Sequence, residues 1–181
     1  MTGRNLWISG VTMAVFIVMV TSYPHGAPDS ACATLIPDSH GPSSSTGPSP
    51  YILRLSSSTY SPNQVITITL GGASHKGYLV VGRRADGTDP NPVGLFQNPS
   101  SESRLACATS PTGNGITQTN NTVKATSSFE WRAPSASVGA IRFDFTVIRG
   151  GAPNTKPDAS DYYANERSSP LTPVGFHGHK K

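Results

Sequence analysis

Two cysteines are the residues of this chain whose chemistry is most sharply defined. Cys32 and Cys107 are its only cysteines, and in an oxidising compartment an even number of cysteines predicts a disulfide. Joining the two would close a long loop, worth about 4 kcal/mol on the chain-entropy model. Two free thiols or an intermolecular bridge are the alternatives. The Cys-x-x-Cys spacing of a redox site is absent.

A second chemical signal is the sequon Asn120-Asn121-Thr122, whose middle residue permits N-glycosylation. Another match, Asn98-Pro99-Ser100, is excluded by its proline. A match of three residues is common by chance, and it acquires meaning only in an exported chain. We therefore treat Asn120 as a candidate glycan acceptor that depends on secretion.

No residue pattern predicts catalysis or a bound cofactor. Ser74 and His75 are neighbours, and neighbours on a strand point to opposite faces, so His75 could not readily take the Ser74 proton. His177 and His179 offer two ligands, whereas zinc needs three or four in fixed geometry. Phosphate loops, nucleophile elbows and dinucleotide fingerprints are also absent from the sequence. We expect no catalytic residue, no metal site and no cofactor.

The first 22 residues have the three parts of a secretory signal peptide. Arg4 is positively charged, residues 6–20 are mostly apolar, and Val20-Thr21-Ser22 supplies small residues for cleavage. A membrane anchor is the alternative, but a spanning helix needs about 20 apolar residues and this run is shorter and interrupted. We expect a secreted, extracellular protein that is not membrane-integral.

Charge excludes one class of partner. The net charge is +4, and charged residues make up 13% of the chain. The basic residues are scattered, and Arg83-Arg84 and Lys180-Lys181 are the only adjacent pairs. This is no nucleic-acid signature; it fits ordinary surface charge, with a weak attraction to anionic surfaces as the alternative.

The elements that position the cysteines, the sequon and the charged residues are predicted to be strands. The chain contains 18 glycines and 16 prolines, which interrupt every window where a helical period could run. The alternating segments that remain predict an all-β, antiparallel two-sheet sandwich, with an up-and-down barrel as the alternative. Strands are predicted at 51–55, 64–70, 77–84, 129–132 and 140–149. In the last strand Ile141, Phe143, Phe145 and Val147 share one face, and Arg142, Asp144 and Thr146 the other. This pattern predicts a half-buried strand whose polar face meets solvent.

We divide the chain into a signal peptide at 1–22, one domain at 23–170 and a flexible C-terminal tail at 171–181. Polar, turn-rich connections separate the strands at 41–50, 86–92 and 97–103. After residue 150 the chain becomes polar and rich in proline, and no further strand is predicted. Trp131 and the aromatic residues of the strands are interpreted as core.

Several short motifs, in order, resemble those of a reeler (reelin-type) domain. They are Tyr23-Pro24-His25-Gly26-Ala27-Pro28 with Cys32, Pro37 with His40, Pro50-Tyr51, Tyr60, Lys76-Gly77-Tyr78, Cys107, Trp131-Arg132-Ala133-Pro134, and the strand at 143–147. The resemblance covers roughly residues 23–170 and extends to the small secreted insect defense proteins built from this domain. Two positions depart from it: His75, where the family often has an aromatic, and Gln118, where a Thr-His pair is common. No histidine role of relatives is carried over to Gln118.

The resemblance implies an immunoglobulin-like β-sandwich and a non-enzymatic role in innate immunity. We expect antimicrobial defense through binding of microbial surface polymers or of haemocyte and other extracellular partners. An extracellular matrix or adhesion module is the alternative function. An enzyme or redox partner, which would need a bound haem or metal, is a third; larger family members carry this domain beside haem-binding and transmembrane modules. The oligomeric state is not predicted.

Overall fold

The computed structural model describes residues 25–37, 47–107, 113–149 and 162–175. The predicted signal peptide, His40, His177 and His179 lie outside these ranges. One short helix, α1, covers Ala31–Thr34. The strands are β1 (Ile52–Leu55), β2 (Thr59–Tyr60), β3 (Val65–Gly71), β4 (His75–Arg84), β5 (Leu95–Gln97), β6 (Ser103–Ala106), β7 (Gly115–Gln118), β8 (Ser127–Arg132), β9 (Ile141–Arg149), β10 (Tyr162–Arg167) and β11 (Thr172–Pro173).

The strands form two main antiparallel sheets, as the sequence predicts. One sheet has four strands in the order β1-β3-β8-β5, and the other has five in the order β10-β9-β4-β7-β6. A small parallel pair joins β11 to β2. Non-consecutive neighbours such as β3 and β8 show that the connections cross between the sheets, which excludes the up-and-down barrel.

The core lies between the two sheets and is built from the predicted alternating faces. Trp131 and Phe129 on β8 are buried, as are Phe143 and Phe145 on β9. The Trp131 and Phe143 rings meet edge to face, with centroids 5.1 Å apart. Each such aromatic contact adds about 1 kcal/mol beyond burial. Trp131 is therefore a core residue, as predicted.

A segment at residues 25–37, here called the N-terminal strap, covers the outer face of the five-stranded sheet. Leu35 of the strap is buried in a second apolar cluster with Leu79 and Val81 of β4. Thr146 of β9 donates a hydrogen bond to the Leu35 carbonyl at 2.7 Å. Because of this cover, β4 is buried on both faces.

The strap approaches the sheet most closely at Gly26. Its φ is +105°, and a Cβ there would lie 2.4 Å from the Gln118 carbonyl oxygen. Only glycine tolerates both the conformation and the contact. Arg104 fixes the same stretch by donating from Nε to the His25 carbonyl at 2.7 Å and from Nη2 to the Ala27 carbonyl at 2.8 Å.

Three sequence expectations need correction. The polar face of β9 is not exposed, because Asp144 and Thr146 are buried beside the strap. A strand, β10, does follow residue 150, and its pattern is disguised by a register shift after Tyr163 and by Asn165 at φ +58°. The domain also extends past residue 170, since Leu171 is fully buried and β11 pairs with β2. Within the described ranges, no helix has the length and apolar character needed to cross a bilayer.

Candidate anion-binding surface

Three arginines and one aspartate meet on the outer face of the five-stranded sheet, beside the strap. The register of β4 and β9 places Arg83 directly opposite Arg142, and that of β9 and β10 places Arg167 directly opposite Asp144. Arg142 and Asp144 are two residues apart on β9, so they share a face. We call these four residues the arginine cluster. Like charges directly opposite each other destabilise a sheet, and Asp144 offsets that repulsion.

Asp144 contacts its three arginines unequally. Arg142 donates from Nε to Oδ1 at 2.7 Å, whereas the Arg167 Nε lies 3.9 Å from the same oxygen. The Arg83 Nη1 lies 4.0 Å from Oδ2. Only the first distance is that of a hydrogen bond. One carboxylate thus faces three guanidinium groups, and the cluster carries excess positive charge.

Arg83 also holds the strap in place. Its Nη2 donates to the Cys32 carbonyl at 2.6 Å and to the Ala33 carbonyl at 3.0 Å. Both carbonyls belong to α1, and an arginine is a suitable partner for carbonyls that a helix end leaves unsatisfied. Its Nε is buried and finds no hydrogen-bond partner within the described part of the chain. Arg83 is therefore a structural residue whose charge still adds to the cluster.

Arg167 is the member of the cluster most available to a ligand. Its side chain is 63% exposed, against 19% for Arg142 and 9% for Asp144. Arg142 also donates a hydrogen bond from Nη1 to the Ala85 carbonyl, at 2.8 Å. A guanidinium presents paired donors that match phosphate and carboxylate oxygens. The cluster can attract anionic groups, with Arg167 making direct contact.

The structure contains the predicted disulfide between Cys32 and Cys107. The sulfurs are 2.11 Å apart and the Cα atoms 5.5 Å apart. Asp29 strengthens the junction by accepting a hydrogen bond from the Cys107 backbone N–H at 3.0 Å. The bond ties the strap to the residue that follows β6, and it sets the strap beside the arginine cluster.

His75 does not pair with Ser74. Its Nε2 lies 2.8 Å from the Ser127 Oγ, and its Nδ1 lies 3.5 Å from the Ala73 carbonyl oxygen. Burial, partly opposed by the Ala73 contact, lowers the pKa of His75 below 6.5. A serine and a histidine at this distance have the arrangement of a nucleophile and its base. No carboxylate orients the ring within the described residues, so we interpret the contact as structural.

Within the described ranges, no three residues from His, Cys, Asp and Glu are grouped closely enough to hold a metal ion. His25, near the start of the strap, instead places Nδ1 3.2 Å from the Thr119 carbonyl oxygen. This contact helps to dock the strap against the end of β7.

A known domain family matches most of this chain. The family model described as "Reeler domain" matches residues 30–174. The chain belongs to the Reeler domain family. The match begins within the strap and ends after β11, so the matched Reeler domain contains the disulfide and the whole arginine cluster. It also extends beyond our sequence-based boundary at residue 170.

Relatives of this Reeler domain protein fall into two groups. "Putative defense protein Hdd11" of Hyphantria cunea is 30% identical over 157 residues, covering 81% of this chain and 91% of that protein. "Ferric-chelate reductase 1" of Mus musculus is 30% identical over 151 residues, covering 82% of this chain. This chain spans only 25% of the mouse protein's length. The reductase name belongs to that whole protein.

Solved structures support the same fold. The human F-spondin reeler domain superposes with a TM-score of 0.56 at 17% identity, covering 74% of this chain and 94% of that domain. At this identity the likeness concerns the fold alone.

Sequence reasoning missed the arginine cluster of this Reeler domain. The sequence shows Arg83 only as half of a basic pair, and Arg142 and Asp144 only as one face of a strand. Their approach to Arg167 depends on β10, which was not predicted. The available signal was the opposite charge of Arg142 and Asp144, which lie two residues apart and so share one face of β9.

Proposed function

We propose that this Reeler domain protein is a secreted, non-enzymatic defense protein of innate immunity that binds anionic polymers of microbial surfaces. The arginine cluster carries the proposal, since three guanidinium groups surround a single carboxylate. The relatives named as defense proteins support the biological setting. The sequence features of residues 1–22 support export.

The proposed binding is electrostatic and weak for each contact. Arg167 is largely exposed, and an exposed ion pair contributes about 1 kcal/mol or less. A repeating polymer can engage many protein molecules or several sites, which raises the apparent affinity without a deep pocket. At an ionic strength near 0.15 M charges are screened over about 8 Å, so the binding should weaken steeply with salt.

The test is binding of the purified, oxidised protein to bacteria, lipopolysaccharide and lipoteichoic acid across a series of salt concentrations. Arg167→Gln should weaken binding at low salt by about threefold, which corresponds to one exposed ion pair. Arg54→Gln is the matched control. It makes the same change in net charge at an exposed position of β1, in the other sheet.

Equal losses in the two variants would show that net charge, and not the arginine cluster, attracts the polymer. Binding to haemocytes with none to any microbial polymer would contradict the proposal and favour a host protein partner. Binding that does not respond to salt would contradict the electrostatic basis.

A further inference from the structure

The loop after β7 folds around the side chain of Asn120. Its Oδ1 accepts hydrogen bonds from the Thr122 backbone N–H at 3.1 Å, from the Thr122 Oγ1 at 2.5 Å and from the Lys124 Nζ at 3.0 Å. The Lys124 Nζ also donates to the Thr122 carbonyl at 2.9 Å. Lys124 is buried, and the loop supplies the acceptors for its ammonium group. The sequon residues therefore hold a buried cation in place.

These contacts decide which way the Asn120 amide faces. A backbone N–H and an ammonium group are donors only, so the amide atom that meets them must be the oxygen. The amide is planar, and Nδ2 therefore points away from the loop's three donors. Asn121, Thr122 and Val123 around it are exposed, while Asn120 itself is half-buried.

We propose that Asn120 is N-glycosylated at Nδ2. This inference rests on one part of the proposed function, entry into the secretory pathway, and on nothing that concerns microbial binding. Among the described residues Nδ2 has no hydrogen-bond partner, so it is the atom of the amide that remains for the glycan. Because the modified side chain keeps its Oδ1, the turn and the Lys124 contact persist in the glycosylated protein.

The modification is a glycosyl transfer from a polyprenol pyrophosphate-linked oligosaccharide. A bond forms between the Asn120 Nδ2 and the anomeric carbon of the first sugar, and the bond from that carbon to the pyrophosphate oxygen breaks. Nδ2 loses one proton, and the polyprenol pyrophosphate leaves. No oxidation or reduction takes place.

The site is far from the arginine cluster. Lys124 pairs through its backbone with His75, the first residue of β4, at 2.9 and 2.8 Å. Arg83 stands near the opposite end of β4, about 25 Å away at about 3.3 Å per residue. A glycan at Asn120 therefore leaves the arginine cluster open to a polymer.

The experiment expresses the full chain in insect cells and analyses the protein from the medium by intact mass and peptide mapping, before and after peptide-N-glycosidase A. The expected result is a glycan on the peptide that contains Asn120, and conversion of Asn120 to aspartate on its release. Thr122→Ser, which preserves the sequon, should remain glycosylated. Asn120→Asp, which keeps Oδ1 and removes Nδ2, should abolish the mass shift without loss of secretion.

The chain supplies its own positive control. At Asp86 the carboxylate accepts the Thr88 N–H at 3.1 Å and the Thr88 Oγ1 at 2.9 Å, the same turn as at Asn120. Asp86→Asn therefore creates a sequon in matching geometry within an exposed turn. Secreted protein glycosylated at this control position and bare at Asn120 would overturn the inference. Absence of the chain from the secretory pathway would refute the export on which both proposals depend.

Discussion

Removal of the disulfide by the paired change Cys32→Ala and Cys107→Ala is the most direct quantitative test of this structure. The two cysteines are 75 residues apart in sequence. On the chain-entropy model, a cross-link over such a loop destabilises the unfolded state by about 4 kcal/mol at 25 °C. A domain of this size is stable by only about 5–15 kcal/mol, so the loss would be a large fraction of the total.

The folded state should change little in this variant. The strap keeps its hydrogen bonds from Arg83 and Arg104, and Leu35 stays packed on β4. The expected loss therefore arises in the unfolded chain and lies at about 3–5 kcal/mol. The guanidinium m-value should rise, since an unlinked chain exposes more surface on unfolding.

The assay is equilibrium unfolding in guanidinium, followed by the fluorescence of the buried Trp131. Oxidised wild type, reduced wild type and the double variant are compared, and the last two should agree. A loss below about 1 kcal/mol in both would refute the reasoning, because the strap would then be held by its non-covalent contacts in the unfolded ensemble as well.

Three further predictions concern single side chains. Burial lowers the pKa of His75 below 6.5, so the unfolded chain binds more protons than the folded one below about pH 6.5, and the free energy of unfolding should decrease as the pH decreases there. His75→Gln should flatten the dependence of the free energy of unfolding on pH between about pH 7.5 and 5.5, and an unchanged slope would contradict this. Gly94→Ala places a Cβ 2.2 Å from the Trp131 ring at φ +67° and should lower the free energy of unfolding by about 3 kcal/mol or more. The control Gly87→Ala, at φ +70° with open space around it, should lower it by about 1 kcal/mol, and equal losses in thermal unfolding would exclude the clash. Leu35→Ala should cost about 2 kcal/mol and speed reduction of the disulfide by dithiothreitol, and an unchanged reduction rate would show that the strap does not protect the bond.

Local patterns in the sequence predict much of the sandwich. The alternation in β3 and β9 identifies both strands and their core faces, because side chains on a strand point alternately to opposite sides whatever the strand packs against. The pairing of Cys32 with Cys107 also follows from the sequence once export is assumed, since two cysteines allow only one bridge within the chain.

Tertiary structure alone decides the arginine cluster and the partner of His75. Arg83, Asp144 and Arg167 come together through the registers of β4, β9 and β10, and His75 meets Ser127, 52 residues away in sequence. The strap then buries Asp144 and Thr146 on a face that the sequence pattern assigns to solvent. Register and cover depend on long-range packing between segments, and the side-chain period of a single strand carries no information about either.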